Sequence, residues 1–567
     1  MKTVKHNVDL CVVGGGIAGL CAAVAAARHG AKVALMQDRP VLGGNASSEV
    51  RMWVCGADGD YMRETGIVEE LFLENYYRNT NLSFSIWDSV LYEKARFEPN
   101  ITLLLNCTCL EAKTEDDTIK SVTGWQLTTE TRHNVQAKYF ADCSGDSILA
   151  PLTGAMYMQG REGRDEFGES LAPEIGDKKT MGSSCLIQIR EHSEPQEFIP
   201  PAWAHKYPSA DSLPPHRRVD IEGRQNFWWI EVGGEDDTIH DAEKHRDELL
   251  KIAFGIWDHL KNHGDYNTEN WSLDWVGFLP AKRESRRLIG DYIITQNDVD
   301  SAGKFDDVVA YGGWTMDDHH PAGFYYDGPP NTFHPAPSPW GICYRSLYSK
   351  NIKNLMFAGR NISVTHAAMS SSRVMATCGI IGQAVGTAAA IAVGDNVDIR
   401  NVDIKKLQQT LMYDDCYIPY VKRELSPLTL GAKTNAEVLR NATDRGLCPE
   451  ETNKLVCDKG DDIIYEFDAY QKISEIRLVF DSHLSREYDN MPASYPLSQP
   501  WYKVPKTLVR AYRITLKTEG EDIVIDVENN YQRLNLHKVS ALVNKIILTP
   551  LETWGEEKCA IFAMDVK

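Results

Sequence analysis

Two stretches of this 567-residue sequence gather side chains able to bind anions or move protons. The first, Lys282-Arg-Glu-Ser-Arg-Arg287 followed by Gly290-Asp291, puts three arginines within five positions. A planar guanidinium grips a carboxylate or phosphate in bidentate fashion, so Arg283 and Arg286 are candidates for holding a substrate carboxylate or a cofactor substituent. A charged strand with internal ion pairs is the competing reading. The second stretch, Tyr311-Gly-Gly-Trp-Thr-Met-Asp-Asp-His-His-Pro321, combines glycines, an aromatic ring and the titratable Asp317, Asp318, His319 and His320. His319 and His320 are candidate proton-transfer groups, because imidazole titrates near neutrality. A polar surface loop is the alternative. Spacing places no third metal ligand, so no metal is expected.

Another stretch has the pattern of a glycine-rich turn between two strands. Val8–Val13 is an apolar run of strand length, Gly14-Gly-Gly-Ile-Ala-Gly19 follows, Leu20–His29 reads as an alanine-rich helix ended by Gly30, and Lys32–Met36 as a second strand. This is a βαβ unit with G-x-G-x-x-G in its turn. Gly14 allows the tight turn, Gly16 lets the backbone approach a pyrophosphate, and Gly19 lets the helix pack close. Ile17 and Ala18 complete the glycine-rich turn as candidate cofactor contacts, and the N–H groups and positive dipole end of the helix that follows face the phosphates. The acid that usually ends the second strand and holds a ribose hydroxyl is replaced by Gln37, with Asp38 and Arg39 beside it. Gln37 keeps a carbonyl acceptor.

The charge sum is −20, which argues against a nucleic-acid footprint and against binding an anionic membrane. The start of the chain, Met1–Asp9, lacks the apolar core and cleavage site of a secretory signal. The longest apolar run, Gly379–Val393, is expected to be too short to span a bilayer. Thirteen cysteines show no framework spacing, and Cys11, Cys21, Cys143 and Cys378 sit in apolar runs. Buried free thiols in a reducing cytoplasm are the expectation.

Three further segments resemble flavoproteins of the glutathione-reductase type, especially the fumarate-reductase-like, FAD-dependent oxidoreductase branch. Gly43, Gly44, Asn45 and Ser48 match that family's loop after the second strand, which contacts the FAD pyrophosphate and ribityl chain. Ser144, Gly145 and Asp146, at the end of Lys138–Asp146, match its second nucleotide motif. Asn354-Leu-Met-Phe-Ala-Gly359-Arg360-Asn361, with a small-residue helix over 373–393 that starts at Arg373, matches its carboxy-terminal FAD element. The resemblance implies FAD as cofactor, an adenine contact through the backbone at Cys109, and a catalytic acid or base near flavin N5. For that role it points first to His366, in the loop after the Arg360 turn, and second to Arg51, which follows the Gly-Gly loop.

The expected fold class is α/β: a Rossmann-like FAD domain split into 1–150 and 345–427, the latter closing in a polar helical linker, around an α+β substrate domain at 151–344. That insert is rich in tryptophan and carries a helix from Asp241 to about His263. From about 428, short alternating runs such as Ile473–Phe480, Ala511–Lys517 and Ile523–Val527, with a proline-rich loop over 492–505, indicate an antiparallel β-sandwich that resembles discoidin-like carbohydrate-binding modules. The function expected is hydride transfer between flavin N5 and a small organic molecule, with a sugar or glycoside hydroxyl preferred. An enoate or fumarate-type reductase, or a non-redox FAD protein with a carbohydrate-binding module, stands as the alternative. No nucleic-acid or membrane partner is expected.

Overall fold

The computed structural model describes residues 2–217, 219, 221, 226–447, 453–487, 489–498 and 502–567. Five parallel strands build the first sheet, in the order Ile101–Leu104, Val33–Met36, Lys2–Val13, Thr131–Asp142, Leu355–Phe357. The hairpin Cys107–Glu115 and Thr118–Gln126 pairs antiparallel with the first half of Thr131–Asp142. The first strand begins at Lys2, ahead of the apolar run, because its polar half is held by Thr131–Gln136. Val13, Met36, Asp142 and Phe357 end at one level, so the loops that follow them converge at one edge. In open α/β sheets ligands bind outside the carboxyl ends of the strands, where the strand order reverses.

Close approach explains the small residues. Gly14 has φ +104°, and a Cβ there would lie 2.4 Å from the Cys143 carbonyl oxygen. A Cβ on Gly19 would lie 1.8 Å from the carbonyl oxygen of Gly14. The helix Met375–Asp395 crosses Ile17–Arg28 so tightly that Cβ atoms on Gly382 and Gly386 would each sit 2.0 Å from the carbonyls of Ala18 and Ala22. Glycine costs about 1 kcal/mol in a helix interior; here it permits backbone contact that no other residue allows. This helix has 21 residues and, contrary to the expectation from the apolar run, is long and apolar enough to cross a bilayer. Its surface is spent on packing inside the protein.

Part of the segment between the second and third FAD elements forms a separate apolar core around the helix Ala242–Asn262, with Trp229, Trp257 and Trp271 in it, while Leu288, Ile294, Tyr311 and Ile342 of the same segment join the core of the first sheet. Two small sheets there face the first domain. In one, Ser183–Ser184 lies between Glu231–Val232 and Ala281–Lys282. The other is the hairpin Met316–His319 with Asn331–His334. The expected linker contains the helix Ile404–Tyr413, which buries Leu407, Leu411 and Met412 and is thus part of the body.

The C-terminal strands form one antiparallel sheet whose long members, Ile463–Phe480 and Leu534–Thr553, serve both halves. Register breaks between Glu466 and Gln471 and between Ile473 and Glu475 let it fold over. The halves face each other: Tyr465 in one donates its hydroxyl to the Met564 carbonyl in the other at 2.9 Å. The twelve described cysteines are free thiols; Cys448 and residues 499–501 of the proline-rich loop lie outside the described residues.

Candidate active site

A cleft of about 730 Å³ opens at the edge where the parallel strands end, within the usual range for small-molecule sites. One end is a cradle of backbone. Gly14, Gly16, Ile17, Ala18, Gly43, Gly44, Asn45, Ser144, Gly145, Asp146, Gly359 and Arg360 line it. Gly16 bridges to Gly43, and a Cβ on Gly16 would meet only the Gly44 Cα, at 4.0 Å, so that position is left open toward the cleft. Asp146 accepts from Lys282 Nζ at 2.6 Å, Arg360 at 2.9 Å and Ser285 Oγ at 2.7 Å. Burial pushes its carboxyl up, but Arg360 and Lys282 outweigh burial and hold it below its ordinary range. Asp38, Arg39, Cys107 and Cys109 line the far end.

The other end is a polar cluster beneath two tryptophans. Trp228, Trp314, Arg283, Arg286, Asp317, His319, Asn331 and Arg373 line it. The His319 ring stands between two carboxylates, Nδ1 2.7 Å from Glu231 and Nε2 3.3 Å from Asp317. Arg283 lies 3.1 Å from the same Glu231 oxygen, and Arg373 2.9 Å from Asp317. Burial alone would raise both carboxylates; the facing Arg283, His319 and Arg373 bring them below their ordinary range. Among the described residues Arg286 has no ion pair: it donates to the Asp146 carbonyl at 3.3 Å and lies over the Tyr157 ring.

His366 stands elsewhere. It opens the short helix His366–Ser372 rather than lying in a loop, and it is not among the cleft-lining residues. Nδ1 is 2.9 Å from Glu284, Nε2 is 3.1 Å from Asp318, and its backbone N–H donates to Glu162 at 2.8 Å. Arg287, fully buried, spans Glu284 and Glu162. Burial alone would lower the imidazole, yet Glu284 and Asp318 push it up to about 10. Lying outside the cleft and held as a cation by Glu284 and Asp318, His366 is not placed to exchange protons with a ligand.

Other placements also depart from expectation. Arg51 is outside the cleft: its guanidinium lies between Phe84 and Trp275, 4.9 and 4.7 Å from the ring centroids, and donates to Gln188 at 2.8 Å. Met52, Trp53 and Cys55 line the wall instead. His320 stacks on Tyr326 with centroids 3.5 Å apart, because successive residues of a strand face opposite ways. Ser48 gives its N–H to Asp88 at 3.0 Å, outside the cleft. Asn361 is buried below the cradle, bonding Asp142 and Ser147 at 3.2 Å. Gln37 does line the cleft, but its amide oxygen accepts from Gly15 at 2.7 Å and shapes the glycine turn, leaving Asp38 as the more exposed acceptor. Glu231, Asp317, Trp228 and Trp314 complete the site without being candidates by sequence, although Asp317 and Trp314 fall within the polar stretch 311–321. Period-two alternation in Asp317-Asp318-His319 carries the signal that Asp317 joins His319; Glu231 sits in an apolar run and carries none.

The cleft fits a dinucleotide at the cradle end, where positions open to Cβ meet backbone N–H groups, and a flat polar group beyond it. Among the described residues, three polar atoms of cleft-lining side chains, Arg360 Nε, Arg373 Nε and Trp314 Nε1, are buried without a partner, as is Oε1 of Glu231, which holds His319. A family model described as FAD dependent oxidoreductase matches residues 9–411. The chain belongs to this family. FAD is its cofactor, and its activity is that of an FAD-dependent oxidoreductase. Among solved structures, the Escherichia coli quinol fumarate reductase is similar at 14% identity over 73% of this chain and 75% of that one, with a TM-score of 0.28. A geranylgeranyl bacteriochlorophyll reductase-like protein of Thermoplasma acidophilum is 10% identical over 73% and 85%, with a TM-score of 0.32. The family 32 carbohydrate-binding module of Streptococcus pneumoniae EndoD is 9% identical over 25% of this chain and 99% of that one, with a TM-score of 0.20. Similarities of this size assign neither a substrate nor a fold family for the C-terminal sheet.

Proposed function

We propose that this oxidoreductase acts on a hydroxyl of a sugar or glycoside in the cytoplasm. The observation that carries the reading is the composition of the polar end: a histidine between two carboxylates, two arginines paired to those carboxylates, and two tryptophan faces. Hydroxyls donate to carboxylates and accept from guanidinium groups, and the apolar face of a sugar ring stacks on indole. Bound in the cradle by Gly14, Gly16, Gly43, Gly44, Gly145 and Arg360, FAD supplies the acceptor for the hydride that leaves the carbinol carbon. His319 takes the hydroxyl proton at Nε2. Glu231, at the shorter distance, fixes the ring through Nδ1, and Asp317 stabilises the imidazolium that forms. Arg373 keeps Asp317 ionised, and Trp228, whose ring centroid is 5.2 Å from that of His319, shields the imidazole from water.

A fumarate- or enoate-type reductase would use unpaired arginines to hold a substrate carboxylate. Arg283 and Arg373 are already matched by Glu231 and Asp317, which favours the hydroxyl reading; Arg286, the cleft arginine without an ion pair among the described residues, is turned to the Asp146 carbonyl and the Tyr157 ring. Anaerobic mixing of the FAD-loaded protein with monosaccharides, polyols and alkyl or aryl glycosides tests it. At least one sugar is expected to abolish the oxidised-flavin absorbance band. Bleaching by none of them, together with reoxidation of chemically reduced enzyme by an unsaturated dicarboxylate, would replace it with the reductase reading.

A further inference from the structure

The C-terminal unit touches the cofactor cleft without lining it. Its segment 481–498 first docks on the helix Ile67–Arg78: Arg486 is sealed against Glu69 at 2.8 Å, and Ser482 Oγ donates to the same carboxylate at 2.6 Å. Further on, the fully buried Asn490 accepts the Val54 N–H on Oδ1 at 2.8 Å, while its backbone carbonyl takes Asn75 Nδ2 at 2.7 Å. Pro492 and Tyr495 then engage the insert: the Pro492 carbonyl accepts from Gln188 at 3.2 Å, and Tyr495 donates its N–H to the Ile189 carbonyl at 2.9 Å.

Val54 lies between Trp53 and Cys55, both of which line the cleft. The loop is irregular and Val54 is 1% exposed, so its N–H has neither a strand neighbour nor water to bond. A buried backbone donor without an acceptor is costly, and Asn490 supplies the acceptor. Among the described residues the Asn490 amide nitrogen has no partner, and the side chain's bond to the wall runs through its oxygen. From Cys55 the connection continues: its carbonyl accepts the Ala376 N–H at 2.9 Å, in the first turn of Met375–Asp395, where Val374, Met375 and Cys378 line the cleft. Two hydrogen bonds thus join the C-terminal unit to the helix start that faces the cofactor.

We propose that Asn490 is a positioning residue for the flavin site, and that the C-terminal unit sets the Trp53–Cys55 wall through it. The experiment uses the full-length, FAD-loaded protein, with Asn490→Ala, Asn490→Asp and Ser482→Ala compared for the flavin absorption spectrum, flavin midpoint potential, FAD dissociation constant and thermal midpoint. Asn490→Ala is expected to displace the spectrum and potential and to weaken FAD binding about tenfold, the scale of one lost buried hydrogen bond. Asn490→Asp keeps the acceptor oxygen and is expected to restore the wild-type spectrum and affinity. Ser482→Ala, which loosens docking alone, is expected to lower the thermal midpoint with the spectrum unmoved. If Asn490→Ala does not fold, Asn490→Ser is read in its place. A wild-type spectrum in the Ala or Ser variant, equal spectral shifts in Asn490→Ala and Ser482→Ala, or a folded Asn490→Asp protein with the Ala spectrum would each overturn the assignment. No substrate is needed, so the outcome is independent of the sugar reading.

Discussion

His319 and His366 sit on opposite sides of one strand and are built alike. Each imidazole stands between two carboxylates, Glu231 and Asp317 for His319, Glu284 and Asp318 for His366. Arginines pair with each carboxylate set, two in front, Arg283 and Arg373, and one behind, Arg287. The difference is access. His319 opens into the cleft, whereas the rear carboxylates hold His366 as a cation outside it. Residue type and partners therefore do not separate a reactive histidine from a structural one here; the face of the strand does. Removing one partner of a sealed ion pair costs stability, whereas removing the reactive group costs rate.

That contrast sets the order of expected effects. His319→Gln should slow substrate reduction of the flavin by about 10²–10⁴-fold, the usual worth of general acid–base catalysis, with FAD still bound; stopped-flow absorbance reads both. Glu284→Gln strips a charge from both His366 and Arg287 and should lower unfolding free energy in urea by about 3–5 kcal/mol, while the folded fraction keeps a near-normal reduction rate. The pH profile gives the next test. The His366 imidazole lies above its ordinary 6.5 in the folded protein, at about 10, so its stabilisation is complete below 6.5 and fades as pH rises toward 10. Wild type should lose thermal stability across that window faster than His366→Gln, which lacks the proton. Asp318→Asn should have the smallest effect, about 1 kcal/mol or less, because Asp318 is 37% exposed and solvent screens its pairing.

The cradle was legible in the sequence because backbone constraints write themselves as glycine: Gly14, Gly19, Gly43 and Gly359 each mark a turn or close approach that side chains forbid, and Gly16 leaves open the space toward the cleft. The polar end was legible only as clusters. Contiguous runs such as 282–287 and 317–320 report that charges are near one another, and the backbone then deals them to different sides: the strand Met316–His319 by alternation, and the irregular stretch 283–286 between two short strands by its turns. Arg283 and Arg286 went to the cleft, Arg287 to the rear; His319 to the cleft, His320 to a stack with Tyr326. Glu231 was invisible because it meets its partners only through the pairing of Glu231–Val232 with Ser183–Ser184. Arg51 was misplaced for a similar reason: it has φ 60°, which turns its side chain away from the wall that its neighbours line.

The most direct measurement is the anaerobic reduction rate of the FAD-loaded protein by a sugar that bleaches wild type, taken side by side in His319→Gln and Asp318→Asn. The access argument predicts a loss of about 10²-fold or more in the first and a rate near wild type in the second. Wild-type reduction by the His319 variant, with the loss appearing in Asp318→Asn instead, would contradict it and return His366 to the reacting centre.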